Sequence, residues 1–161
     1  MNTYTIEGFI ARLAKMSVDV AIGQHKALEA AAKSVERKAK SEIGTYQEAI
    51  GSFAGWDELM DSTKDDRVRQ GYSEDDPLLR NGKLRDSISH ETRALEAVIG
   101  SNEDVMVYQE LGTDTIPPRP VLGPALLRKE DRIVKLLGNY TATAMLDGAP
   151  FSQIPTIDGD F

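Results

Sequence analysis

Residues 108–126 restrict the backbone more than any other stretch, because Gly112, Pro117, Pro118, Pro120, Gly123 and Pro124 all fall within it. Gly112 opens positive φ and so suits a tight bend or the end of a short helical turn. Pro117, Pro118 and Pro120 fix φ and drive each preceding residue toward extended geometry, which predicts a stiff, polyproline-like rod over 116–119. Gly123 at an N-cap and Pro124 at the first helical position then signal a helix start. The order is turn, rigid linker, helix. Arg119, held between two prolines, is expected to project its side chain from a pre-ordered backbone and to lock the linker by a charge-assisted hydrogen bond to a carboxylate or carbonyl.

The same residues carry a resemblance. Glu110-Leu111-Gly112-Thr113, a short spacer, then Pro117-Pro118-Arg119-Pro120-Val121-Leu122-Gly123-Pro124-Ala125-Leu126 resembles a signature of small neck proteins from long-tailed double-stranded DNA bacteriophages. These are the tail-completion or head–tail joining proteins, also called minor tail or virion-morphogenesis proteins. Their usual pattern runs Tyr-Ala, a few residues, Glu-Phe-Gly-Thr, then Pro-x-Arg-Pro-Phe-Leu-x-Pro-Ala. Glu110, Gly112, Thr113, Pro118, Arg119, Pro120, Leu122, Pro124 and Ala125 match it, and Tyr108 stands just ahead of the block. Leu111 and Val121 replace Phe, and Val105-Met106 occupies the place of Tyr-Ala. A second block, 78–88, is similar to the family's Leu-x-Thr-Gly-x-Leu-Arg-x-Ser-Ile: Gly82, Leu84, Arg85, Ser87 and Ile88 match, with Asn81 for Thr. Read physically, Asn81-Gly82 is a turn or cap signal, and Leu84 and Ile88 fall one helical turn apart.

Composition narrows the alternatives. A chain of 161 residues fits one domain with its own core. Being 40% hydrophobic and 28% charged, it is not of disordered composition. No apolar run is long enough to span a bilayer, and the first residues lack the basic region and apolar core of a secretory signal. Without cysteine there are no disulfides or thiolate metal sites, which fits a protein made and used in a cytoplasm. The net charge of −7 opposes tight non-specific nucleic-acid binding, while an acidic ring lumen would still let DNA slide past.

Along the chain, Ile6, Phe9, Ile10, Leu13, Met16 and Val20 recur at helical spacing. The stripe resumes after Gly23 with Ala27, Leu28, Ala31, Val35, Ala39 and Ile43. This predicts one long helix over 5–43, bent or closely packed at Gly23. Its opposite face, with Glu29–Lys33 and Glu36–Lys40 at i,i+4 spacing, reads as solvated. A sharper alternative packs the second half on a neighbouring subunit across Ala30, Ala31 and Ala32. Residues 44–76 show no period and read as a loop-rich insertion, with Trp56, Leu59 and Met60 in a short helical turn and Glu74–Asp76 opening a helix. Residues 87–92 and 95–100 alternate as a hairpin with its turn near Arg93-Ala94, and 105–108 fit a third strand or a short helix. A second long helix runs from Pro124 to about Leu146, stopped by Gly148 and Pro150. Residues 149–161, with Phe151, Ile154 and Phe161, read as an extended arm docking on its own domain or a neighbour, terminal disorder being the alternative.

Catalytic constellations fail on inventory. Ser87 or Ser89 with His90 and Asp86 lacks a nucleophile elbow, and strand neighbours point to opposite faces. Zinc lacks its nitrogen and sulfur ligands, the acidic run at Glu74 lacks calcium-loop spacing, and Gly51 to Gly55 lacks the Lys-Ser/Thr of a phosphate loop. No cofactor and no enzyme activity is expected. The expected fold is α+β: long N- and C-terminal helices on a small, mainly antiparallel sheet, as one domain over 1–148 followed by the arm. The resemblance implies a structural virion protein, a subunit of a hexameric ring at the phage neck, contacting itself, the head connector and the tail terminator or tail tube. The competing reading is an adaptor whose Pro117-Pro118-Arg119-Pro120 fits an aromatic SH3-type groove.

Overall fold

Thr5 starts the chain's longest element: its hydroxyl accepts the Gly8 N–H at 3.1 Å and so caps helix α1 (Ile6–Glu42). In the computed structural model, which describes residues 5–145, α1 runs unbroken through Gly23, itself buried. Then follow α2 (Asp61–Arg69), α3 (Lys83–Ser87), the hairpin β1 (Ile88–Arg93) and β2 (Glu96–Ser101), α4 (Asp104–Leu111) and α5 (Leu122–Met145). The fold is α+β, with the sheet reduced to the hairpin.

The second half of α1 is the spine. One side takes α5 and another takes the hairpin. Val35 and Ala39 from α1, with Ile43 just past its end, meet Ile88, Met106, Val121, Ala125 and Trp56 in one core. Ala31 and Ala32 are buried here within the subunit, so the close approach they allow is to this chain's own elements, not to a neighbour. Glu42 enters the same region with its side chain fully buried. Arg128 of α5 donates to it at 2.8 Å and Lys38 lies 3.5 Å away. Burial pushes its carboxyl up from the usual range against the pull of both cations.

The hairpin lies one residue later than expected. Its turn is Ala94-Leu95, with Ala94 at φ 48°, and the register pairs Ile88 with Ser101 and Arg93 with Glu96. Ile88, His90 and Thr92 face α1; Val98, opposite Glu91, faces out and is 59% exposed. The face of α1 read as solvated is in part covered: His90 bridges Glu36 and Glu29, the latter at 3.2 Å. Glu36 keeps its Lys40 pair at 2.6 Å.

Residues 44–76 depart furthest from expectation. The polar run after Met60 is helix α2, which lacks an apolar stripe and is therefore invisible to periodicity. Trp56 and Leu59 lie in irregular backbone, not a helical turn. Glu74–Asp76 opens no helix; Asp75 instead accepts the Tyr46 hydroxyl at 2.5 Å. Residues 105–108 fall within α4, so there is no third strand among the described residues.

Candidate functional site

The two signature blocks fold into two neighbouring clamps. In the first, α4 ends at Gly112, with φ 74° and ψ 178°, backbone angles essentially reserved for glycine. A Cβ there would stand 2.9 Å from the Ile116 carbonyl oxygen and 3.0 Å from the Pro118 nitrogen. Thr113 closes the turn: its N–H donates to the Ile116 carbonyl at 2.9 Å, and its hydroxyl accepts the Ile116 N–H at 3.1 Å. The chain then doubles back along α4, where the Arg119 N–H donates to the Gln109 carbonyl at 2.6 Å.

Glu110 ties the two ends together. One carboxylate oxygen accepts the N–H groups of Val121 at 2.8 Å and Leu122 at 2.7 Å, the first free donors of α5. Val121 is thus the cap residue and has no polar side chain, so the anion is supplied from α4. Helix α5 starts two residues earlier than the prolines suggest. Pro124 falls on its third position, still within the first turn whose donors have no intrahelical partner. Gly123 is not the cap; it admits the Phe53 ring, which an added Cβ would meet at 2.4 Å.

Arg119 does not project into solvent. It is 6% exposed, and its guanidinium donates to the backbone carbonyls of Asp57 at 2.9 Å and Glu58 at 3.3 Å. Pro120 is buried beside it and accepts the Trp56 indole N–H at 3.0 Å. The arginine that an aromatic groove must grip is therefore inside the fold, which disfavours the adaptor reading. Of the same block, Leu122 is half-buried against the core, while Tyr108, Leu111, Thr113 and Pro118 are exposed, Leu111 by 77%.

The second block builds the start of the hairpin. Gly82, at φ 81°, opens α3, and the Asn81 side chain accepts the Lys83 N–H at 3.1 Å. Leu84 packs on the core. The Ser87 hydroxyl donates to the Leu84 carbonyl at 2.7 Å and shares a 2.6 Å hydrogen bond with the Ser101 hydroxyl, which fastens the start of β1 to the end of β2. Arg85 pairs with Asp86 at 2.9 Å. Ser87, His90 and Asp86 consequently serve three different partners and form no triad. Among the described residues, no group of His, Asp and Glu is gathered so as to hold a metal ion, and no helix is long and apolar enough to cross a membrane. Phe151, Ile154 and Phe161 lie outside the described residues.

The apolar surface left uncovered lies elsewhere. Ile6, Phe9, Ile10 and Leu13 are 80%, 53%, 59% and 43% exposed, so the first quarter of α1 carries a bare stripe. Helix α5 runs antiparallel to α1 and ends where Ala144 and Met145 meet Arg12, Met16 and Asp19, short of that stripe. Sequence periodicity identified the stripe but gave no sign that nothing in the described chain covers it.

Residues 7–112, spanning α1 to the Gly112 bend, match the family described as "Bacteriophage HK97-gp10, putative tail-component". The chain belongs to this HK97-gp10-like family. The matched span holds the bare stripe except Ile6, the second signature block and the Glu110–Gly112 half of the first. The rest of the linker and α5 follow it directly and are bound to it through Glu110, Arg119 and Trp56. No curated protein and no solved structure gives a significant match. As an HK97-gp10-like protein the chain is a phage tail component, a structural part of the virion.

Proposed function

We propose that the chain is one subunit of a closed ring, a hexamer by family resemblance, at the neck between the phage head connector and the tail terminator or tail tube. The bare stripe on α1 carries this reading. Four large apolar side chains at helical spacing, three of them inside the family-matched span, face water in the single subunit, and a contiguous apolar strip of that kind marks an assembly surface. The signature residues support the same reading in a different way. They make the joint between α4 and α5 rigid, which a ring needs, since small angular errors between subunits accumulate around it.

Ring closure demands heterologous contacts, in which two different patches meet. The stripe at one end of the body offers one patch. The exposed side chains of Val107, Tyr108 and Leu111 on α4 offer another. A net charge of −7 suits a lumen that lets DNA pass without holding it. The test is light scattering on the full chain across a concentration series, alone and with the head connector. A discrete mass that stops growing with concentration is expected. A mass that stays monomeric in both settings, or that climbs without limit as an open filament would, overturns the ring.

A further inference from the structure

A cleft of about 540 Å³ opens between α2, α4 and the linker. Leu59, Leu84, Val105 and Ile116 contribute apolar walls, and Arg67 and Arg119 complete them. Both arginines are deeply buried, at 3% and 6% exposure. Neither meets a carboxylate. Arg67 donates to the carbonyls of Ser73 at 2.7 Å and Leu79 at 2.6 Å, and Arg119 to those of Asp57 and Glu58. The Arg119 Nε–H has no acceptor at all, and the buried Gln109 carboxamide oxygen beside the cleft has no donor.

Two guanidiniums held in a low-dielectric wall and neutralised only by carbonyl dipoles leave a positive field in the cleft. The carboxylates of Asp57 and Glu58 also border it, but on exposed side chains screened by water. The complementary occupant is an extended, apolar segment bearing acid groups. Residues 151–161 have that composition: Phe151, Ile154, Ile157 and Phe161 supply apolar anchors, Asp158 and Asp160 the charge, and no Lys or Arg opposes it.

We propose that this cleft receives residues 151–161 of a second copy of the chain, so that each subunit is strapped to its neighbour. A second copy fits better than the same chain on reach. The described chain leaves off at Met145, beside Arg12 and Met16. The cleft lies at the linker, beyond the opposite end of α5, whose 24 residues measure about 36 Å. Ile154 is nine residues beyond Met145, at most about 32 Å of fully extended chain, so the Phe151 and Ile154 anchors cannot reach their own cleft. The proposal rests on the ring reading and refines it, because strap and cleft are two different patches, as a head-to-tail contact requires.

The test replaces Ile154 with a photoreactive benzoylphenylalanine in the full-length chain and mixes nitrogen-15-labelled with unlabelled protein before irradiation. Mass spectrometry of the digest is expected to find mixed-isotope cross-links from position 154 to peptides containing Leu59, Leu84 or Ile116. Cross-links confined to one isotope, or confined to the 6–13 stripe, overturn the proposal. Light scattering on the same samples reads the ring independently: a closed oligomer whose cross-links fall elsewhere defeats the strap and leaves the ring standing. Charge is tested at Val105, which lines the cleft and is 46% exposed. Val105→Glu is expected to lower the cross-link yield at least about tenfold while Val105→Lys does not. Equal yields in the two variants overturn the proposal.

Discussion

Glu110 shows how one side chain determines the geometry of the whole joint. Its carboxylate accepts the first two donors of α5, so an uncharged, shorter replacement leaves those N–H groups without it. Glu110→Ala is expected to cost about 1–2 kcal/mol in urea-induced unfolding. Glu110→Gln, which keeps an acceptor oxygen but not the charge, is expected to cost less; equal losses would mean the charge is irrelevant. His90 gives a second prediction, of pH dependence. Its hydrogen bond to Glu36, and then the one to Glu29, raise its pKa above the ordinary 6.5 despite the opposing effect of burial. A raised folded value means the folded state binds the proton more tightly. The His90 contribution is therefore complete below 6.5 and drains away as pH climbs through the raised value. Hydrogen bonds from Thr92 and His90 hold the Glu29 carboxyl below 4.5. Glu36 is held below it too, by Lys40 and His90 against the cost of burial, so the carboxylate share fades only as pH falls past 4.5. Thermal melts between about pH 6 and about pH 9 are expected to show Tm falling further in the natural protein than in His90→Gln. Parallel curves would remove His90 from the account.

At the scale of elements, the structure divides α1 into a first quarter left bare and a remainder that packs on α5 and the hairpin. Ile88, wholly buried against the second half, is core: Ile88→Ala is expected to cost about 2–5 kcal/mol. Phe9→Ser and Ile10→Ser remove side chains of similar bulk from water-facing positions. They are expected to change unfolding stability by no more than about 0.5 kcal/mol while reducing the oligomer mass. A loss of stability at Phe9 equal to that at Ile88 would place the stripe in the core and withdraw it as an interface. This division also marks the limit of what the residues alone disclose. Periodicity found α1, α5 and the hairpin because each has an apolar face in contact with the core, and it grouped Ile6 with Ala39 on one stripe. What covers a stripe is a tertiary fact, set here by where α5 stops. Helix α2 went unseen for the opposite reason: its polar run has no face to detect, and its anchoring residue is the charged Arg67, buried on backbone carbonyls. The cap of α5 was misplaced because a proline and a glycine marked the right turn, but the capping group lay in another helix. Val121, a cap position with no side-chain oxygen, was the available hint that an acceptor must come from elsewhere.

For the whole molecule, the decisive property is that the exposed apolar side chains at the start of α1 and on α4 form two unlike patches. The bare stripe of α1 lies past the end of α5, and Val107, Tyr108 and Leu111 lie on α4, next to the linker that enters the other end of α5. If these patches meet, the contact is heterologous, and a subunit damaged on one patch still has the other intact. This separates a ring from a symmetric dimer, whose contact uses the same patch twice. Take Phe9→Asp as the stripe-defective variant and Leu111→Asp as the α4-defective one; each position is more than half exposed, so neither substitution places a charge in the core. Each variant alone is expected to remain monomeric at concentrations where the natural protein assembles. Mixed in equal amounts, the two retain one good pairing, the intact stripe of one against the intact α4 patch of the other, and both remaining patches are spoiled. Light scattering on the mixture is expected to find heterodimers and nothing larger, at a mass twice that of either variant alone. A mixture that restores the full oligomer would mean the two patches do not meet each other, and a mixture that stays monomeric would mean they do not form the contact at all. The heterodimer is the one outcome that a head-to-tail ring built on these two patches requires.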